Sequence, residues 1–359
     1  MSSEARIPDS ELSLPIRPDA VSPPDGSVDF GVPWHYGDPH GEQRRLSAGL
    51  GAVDLSHRGV VRIGGRDRLS WLHDLTTQHL VHLQPGESTL ALILDPHGHV
   101  EHELHLVDDG TAAWATVEPG RAPALAKYLD SMRFLREVEV RDVSRDYAAV
   151  WRPRREADPV YPTWLIAPEF AGTGITESGA DRGGDASRYV ARRPAPLVGS
   201  EVILPRSALA GYLRDAGEPA GTWALEALRV AAGVPRLGLD TDHKALPHEV
   251  GWIGPGVHLA KGCYRGQETV ARLHNMGRPP RRLVLLHLDG SAAAIPEHGD
   301  EVLLDDRVIG WVGSVALHYE LGPIATGMIK RSTPAEVDLT VRSADGSLVA
   351  ASQEPIVSG

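Results

Sequence analysis

Along this chain the spacing of apolar residues switches repeatedly between a helical and a strand period. Residues 41–52 read as a helix ending at glycine (Gly49, Gly51), with Ala52-Val53-Asp54-Leu55-Ser56 following. Gly59-Val60-Val61-Arg62-Ile63 then alternates as a strand. After the Gly64-Gly65 turn, apolar positions at 69, 72 and 75 give helical spacing over residues 66–75. Two strands, 88–94 and 100–107, flank Asp95-Pro96-His97-Gly98, whose proline and glycine favour a turn. A strand at 112–117 and a helix at 121–135 complete a β-α-β-β-β-α run. That order predicts an α+β chain rather than a doubly wound parallel sheet.

The second half has a different texture. Residues 153–195 are rich in Gly, Pro, Asp and Arg around one apolar island at 161–166, and read as loop. A helical stretch at 223–232 stops at Gly233, with Pro235 beyond it. Cys263 lies on a turn before residues 269–274, which begin a helix or a strand. From Arg282 onward, short β-type runs at 283–288, 301–304, 308–315, 324–329 and 337–342 suggest a small terminal barrel or sandwich. Residues 1–27, with five prolines and no periodicity, read as a disordered leader, order beginning near Phe30. The expected division is therefore 1–27, 28–150, 151–275 and 276–359.

Composition narrows the function classes. At 359 residues the chain is long enough for two or three packed subdomains, and 42% hydrophobic content supplies their cores. One cysteine excludes an internal disulfide framework and a self-contained four-thiolate metal site, and fits a reducing cytoplasm. No apolar run approaches the length of a membrane span. A net charge of −12 argues against a general nucleic-acid binder.

Four features carry candidate chemistry. The single thiol lies in Lys261-Gly262-Cys263-Tyr264-Arg265-Gly266-Gln267-Glu268, between two cations that would favour its reactive thiolate form. Strict alternation along the strand after Gly98 sets His99, Glu101, Glu103 and His105 on one face, which reads as solvated rather than metal-binding. His102 falls on the apolar face and so needs a partner or a ligand. In Leu246-Pro247-His248-Glu249 the carboxylate precedes an apolar run and either caps a turn or meets the donor edge of a heterocycle. Arg272, Arg278, Arg281 and Arg282 form a basic stretch suited to an anionic ligand tail.

The octapeptide at 261–268, continued by Val270-Ala271-Arg272, resembles the signature of the YgfZ-type folate-binding proteins, relatives of the glycine cleavage T-protein. Leu228-Arg229-Val230-Ala231-Ala232-Gly233-Val234-Pro235, Leu246-Pro247-x-Glu249, the opening Gly51-x-Val53-Asp54-Leu55-Ser56 and Ile309-Gly310-Trp311-Val312-Gly313-Ser314 are similar to further segments of that superfamily. The resemblance implies antiparallel, ferredoxin-like sheet units around a central folate pocket, closed by a C-terminal β-barrel. On that reading 28–150 is a folate-binding subdomain and 151–275 carries the cysteine motif.

It also implies tetrahydrofolate, in mono- or polyglutamylated form, as cofactor. The implied partners are iron–sulfur client enzymes or assembly proteins, with no nucleic acid and no membrane. Cys263, Lys261 and His102 are the expected catalytic groups. Glu249, Arg229, Gln267, Glu268, Arg272 and Tyr264 are the expected folate contacts. The T-protein has an aspartate in the strand after its Asn-x-x-Gly turn, and that position aligns with His102, beside Glu103. It has Lys-Gly-Asp-Phe where this chain has Lys-Gly-Cys-Tyr. Both departures argue against aminomethyltransferase chemistry and toward a thiol-based role in iron–sulfur cluster assembly or maintenance. A folate-dependent one-carbon transferase is the alternative.

Overall fold

The computed structural model describes residues 19–172, 195–292 and 294–357. Its N-terminal part runs α1 (Pro39–Ser47), β1 (Ala52–Asp54), β2 (Gly59–Gly64), α2 (Arg68–Leu75), β3 (Ser88–Leu94), β4 (Val100–Asp108), β5 (Ala112–Val117), α3 (Ala122–Ser131) and β6 (Glu139–Asp142). Strands β3-β4-β5-β2-β6 pair antiparallel in one sheet. Helices α2 and α3 cover one face, burying Ile63, Leu72, Leu104, Leu106 and Leu125 completely.

The second unit contains β7 (Tyr147–Arg152), β8 (Thr163–Leu165), β9 (Ser200–Pro205), α4 (Arg206–Asp215), β10 (Pro219–Ala220) and α5 (Thr222–Ala231). Its sheet order is β10-β1-β7-β9-β8, so β1 from early in the chain lies between β10 and β7. Helix α4 packs on the outer face through Leu209 against Ala148, Val150, Val202 and Leu204. After a 3-10 turn at Pro247–Glu249 and α6 (Gln267–Met276) come six strands, β11 (Arg281–Leu288), β12 (Glu301–Leu304), β13 (Arg307–His318), β14 (Gly322–Lys330), β15 (Leu339–Arg342) and β16 (Leu348–Pro355). They pair in the order β11-β14-β13-β12-β15-β16 and close into a barrel with no free edge.

The inner faces of both sheets, α5 and one side of the barrel share a single apolar core that includes Leu90, Leu92, Trp151, Phe170, Leu225, Val230, Leu285 and Ile324. This junction positions the site. The α+β expectation and the terminal barrel both hold.

Several local readings are corrected. The helix foreseen to residue 135 ends at Ser131, because Trp71 Nε1 donates to Met132 O at 3.0 Å and the chain turns with Phe134 at φ 45°. Helix α4 and the sixth barrel strand were not foreseen. Only Leu209 of α4 is buried, and β16 buries just Val349 and Ala351, so neither presents a broad apolar stripe. Val21 already pairs with His35, ahead of Phe30 where order was expected to begin. Of the loop foreseen at 153–195, 173–194 lie outside the described residues, as do 1–18 of the expected leader. No helix among the described residues is long and apolar enough to cross a membrane.

Candidate functional site

Strand β4 decides the site. Its pairing with β3 slips between Ile93 and Leu94: Ile93 faces His102 while Leu94 faces Val100, leaving Glu101 as the extra residue of a bulge. The slip breaks the strict alternation assumed from sequence. Val100 joins the central core with Leu90, Leu92 and Leu94, whereas Leu104 and Leu106 pack under α2 and α3. His102 points to that same helix side, its ring 6.0 Å from Tyr128 of α3, and burial with Arg121 nearby lowers its pKa to about 4. Glu103 and His105 turn the other way, into a central cleft enclosing about 670 Å³ of empty space, part of it open to solvent. Of the face read as solvated, Glu103 and His105 therefore form cavity wall, while Glu101 stays exposed and His99 lies outside the lining. His102, the expected catalytic group, does not reach the cavity; Glu103 does.

His105 ties the two sheets together. Its Nδ1 lies 2.9 Å from Glu201 Oε1 on β9 and its Nε2 3.7 Å from Glu103, and its ring stacks on Trp164 of β8 at 3.8 Å and 5°. Burial would lower its pKa, but attraction to Glu201 and hydrogen bonding to the carboxylates of Glu103 and Glu201 outweigh that and raise it to about 9. It is an imidazolium at neutral pH. Glu201 is held down to about 2 by Arg58 and His105 against the cost of its burial, and it also accepts from Thr116 Oγ1.

Three buried arginines continue the network, each committed to protein carboxylates. Arg58 lies 3.2 Å from Glu118 and 3.5 Å from Glu201. Arg236 meets Glu118 and Asp29 at 2.7 Å and Glu226 at 3.3 Å. Arg229 grips Glu226 and Asp240, each at 2.8 Å. Asp240 in turn accepts from Ser314 N at 3.0 Å and from Thr326 Oγ1, fastening α5 to the barrel. That junction explains Gly313: a Cβ there would sit 2.5 Å from both Asp240 Oδ1 and Thr326 Oγ1. Burying so many charges is tolerable only because they are paired. The guanidinium groups lining the cavity are thus occupied by carboxylates, and Glu103, whose 3.7 Å contact is the longest in the set, is the acceptor least engaged by the protein.

The remaining expected site residues scatter. Among the expected folate contacts Arg229 alone lines the cavity. Glu249 is wholly buried and is consumed by Arg281 (2.9 and 2.8 Å) and Leu246 N (3.0 Å), which tie the 3-10 turn to β11. Arg282 donates to Thr333 O and Gln353. Of the basic stretch, Arg272 and Arg278 are exposed. Glu268 is exposed in the first turn of α6, Gln267 Nε2 donates to Lys261 O at 3.4 Å, and Tyr264 is buried with Lys261 Nζ 5.1 Å from its ring centre.

Cys263 is exposed on the loop before α6, outside the cavity lining. Lys261 is buried, its Nζ donating to the carbonyls of His73 and Thr76 at the end of α2, and burial lowers its pKa to about 8. It caps a helix C-terminus, where cations are favoured. Arg265 pairs with Glu101 at 3.1 Å. Both sequence neighbours of the thiol therefore have partners of their own. The loop also packs tightly on the turn before β4: a Cβ at Gly266 (φ 81°) would meet Asp95 O at 2.6 Å.

Sequence reasoning missed His105, Glu201, Arg58, Glu118, Arg236 and Trp164. One signal was available for Glu201: it is a lone charge inside the apolar run Val198 to Leu204.

Residues 281–355 match the glycine cleavage T-protein C-terminal barrel domain. The crystal structure of the glycine cleavage system aminomethyltransferase T from Bartonella henselae superposes with a TM-score of 0.70 over 95% of this chain and 93% of that one, at 19% identity. The fold is the T-protein fold. An aminomethyltransferase of Nostoc sp. is 27% identical over 83% of each chain. A chloroplastic protein of Arabidopsis thaliana named as a transferase is 25% identical over 73% of this chain and 61% of its own length. A mitochondrial iron–sulfur cluster assembly factor of Mycosarcoma maydis is 25% identical over 65% of this chain and 56% of that one. Together these matches support the T-protein superfamily, with relatives on both its aminomethyltransferase and its iron–sulfur sides.

Proposed function

We propose that this chain binds tetrahydrofolate in the central cavity and assists the assembly or maintenance of iron–sulfur clusters in client enzymes through Cys263. The observation that carries the reading is the placement of the one thiol: exposed, outside the cavity, on a loop anchored by Lys261 to α2. The similarity to an iron–sulfur cluster assembly factor supports it. A single thiolate provides one ligand, so any cluster contact is shared with ligands from a client or a small thiol.

The cavity fits a flat heterocycle. Its walls carry the apolar side chains of Leu55, Trp151, Ile166, Phe170 and Leu225, the kind of lining that small-molecule sites present. Glu103 offers an acceptor to N–H donors of a pterin edge, and the paired arginines leave no bare cation to favour an anion there. When bound, tetrahydrofolate supplies a one-carbon carrier. Its anionic glutamate tail then belongs at the exposed Arg272 and Arg278, giving affinity that falls with salt and rises with glutamate number.

The test is replacement of Cys263 by alanine in cells lacking the wild-type protein. Iron–sulfur enzyme activities are expected to fall, and unchanged activities would remove the thiol from the function. A second reading, a folate-dependent one-carbon transferase, is favoured by Glu103 because a carboxylate does face the cavity. It requires turnover of an aminomethyl donor with tetrahydrofolate that survives Cys263→Ala and is lost in Glu103→Gln.

A further inference from the structure

The turn after α3 carries two adjacent large apolar side chains in the open, Phe134 at 82% and Leu135 at 99% exposure. Phe134 holds φ 45°, a left-handed conformation that a bulky residue adopts only when its surroundings impose it. The surroundings are visible on both flanks. Trp71 Nε1 donates to Met132 O at 3.0 Å on one side. On the other, Glu137 N donates to Asp67 Oδ2 at 2.8 Å. A turn so fixed at its base cannot fold its apolar tip back onto the protein.

Helix α2 connects this tip to the thiol. Asp67 at its start takes Glu137 N, while the carbonyls of His73 and Thr76 at its end take Lys261, two residues before Cys263. Arg265, two residues after Cys263, places its guanidinium 5.9 Å from the ring centre of Tyr128 on α3. Tip and thiol are both pinned to the α2–α3 edge.

We propose that Arg133-Phe134-Leu135-Arg136 is a docking knob for a partner protein that offers an apolar socket rimmed by carboxylates, and that docking seats this partner beside Cys263. The proposal rests on the reading of Cys263 above, where a lone thiolate needs further ligands from a second molecule. The charge pattern selects the partner. Arg133 and Arg136 bracket the apolar pair, half-exposed, at 3.5 Å from Asp130 and 3.0 Å from Asp74. Exposed pairs of this kind contribute little and exchange readily, so carboxylates of a partner can take their place. Phenylalanine and arginine are among the residue types enriched in interfaces relative to the rest of a protein surface. Two apolar side chains make a weak membrane anchor.

The test compares three full-chain variants in cells lacking the wild type: Phe134→Ser with Leu135→Ser, Arg133→Glu with Arg136→Glu, and Cys263→Ala. Iron–sulfur enzyme activity is read in the cells, and reduced-folate affinity and thermal unfolding on purified protein. Both tip variants are expected to lower enzyme activity about fivefold or more, toward the Cys263→Ala level, with folate affinity and unfolding unchanged. Phe134→Trp with Leu135→Met should retain activity. If Cys263→Ala lowers activity and the tip variants do not, the knob is refuted and the thiol reading stands. If Cys263→Ala has no effect, the thiol reading fails and the knob proposal fails with it. A wild-type dimer dissolved by the tip variants, or wild-type sedimentation with phosphatidylserine vesicles lost in them, assigns the tip to a second copy or a membrane and overturns the proposal.

Discussion

The central cavity and the Cys263 loop handle charge in opposite ways. In the cavity, Asp29, Glu103, Glu118, Glu201 and Glu226 meet Arg58, Arg229, Arg236 and His105 in one buried network that joins both sheets. Asp240 extends it to the barrel. Arg58, Arg236 and His105 each reach a carboxylate distant in sequence, Arg229 is held by the nearer Glu226 and Asp240, and Glu103 is left at the edge of the wall. On the loop, the two cations that flank the thiol in sequence turn away from it, Lys261 to the end of α2 and Arg265 to Glu101. Adjacency along the chain suggested an activated thiolate; the fold uses those cations to hold the loop in place. The comparison teaches that charge in this protein is mostly spent on positioning, in the cavity by pairing and on the loop by capping.

The strongest way to break the contrast is to unpair the cavity. Arg236→Met leaves Asp29 and Glu118 buried without their main partner and should cost about 3–5 kcal/mol, read as a shift in the denaturant midpoint. A loss below about 1 kcal/mol would mean the network is solvated after all. Next in size is the proton on His105. Its pKa is about 9 folded against 6.5 ordinarily, so the stabilisation is complete below about pH 6.5 and disappears as pH rises through about 9. Wild type should lose about 1–3 kcal/mol across that window, and His105→Gln should flatten the loss. Equal slopes in the two proteins would show that His105 is not held as an imidazolium.

On the loop side the effects are smaller. Lys261→Met should cost about 1–2 kcal/mol by uncapping α2, and should raise the rate at which Cys263 reacts with a maleimide as the loop loosens. An unchanged rate would separate the thiol from its anchor. Cys263→Ala should change stability by no more than about 0.5 kcal/mol and leave reduced-folate affinity intact, because the side chain is exposed and lines no part of the cavity. A drop in folate affinity would join the two regions and sink the comparison.

Much of the architecture was legible in the sequence because local spacing sets local structure. The helical stripe at 69, 72 and 75, the Pro-His-Gly turn before β4, the stop at Gly233 and the short runs after Arg282 all became the elements they suggested. Helix α6 begins just after the cysteine turn, one of the two outcomes left open for 269–274. The candidate site was much less legible. His102 and Glu103 are neighbours, and choosing which faces the cavity required knowing that β4 bulges at Glu101 and that its other face lies under α2 and α3. Glu249 read as either a turn cap or a contact to a heterocycle; it caps the turn by accepting from Leu246 N, and Arg281, 32 residues on, completes its pairing.

By itself, the sequence determined many of the helices and strands, the run of short strands at the C-terminus and the unusual setting of the one thiol, since these follow from side-chain period, turn chemistry and composition over a few neighbouring residues. Tertiary structure alone decided which charges meet. His105 and Glu201 are 96 residues apart and Arg236 and Asp29 are 207 apart, and their contacts exist only because two sheets and α5 converge on one core. A period-2 pattern gives a strand two faces without saying which one another element will cover. On β4 that choice buried Glu103 and His105 in the cavity and turned His102 away from it.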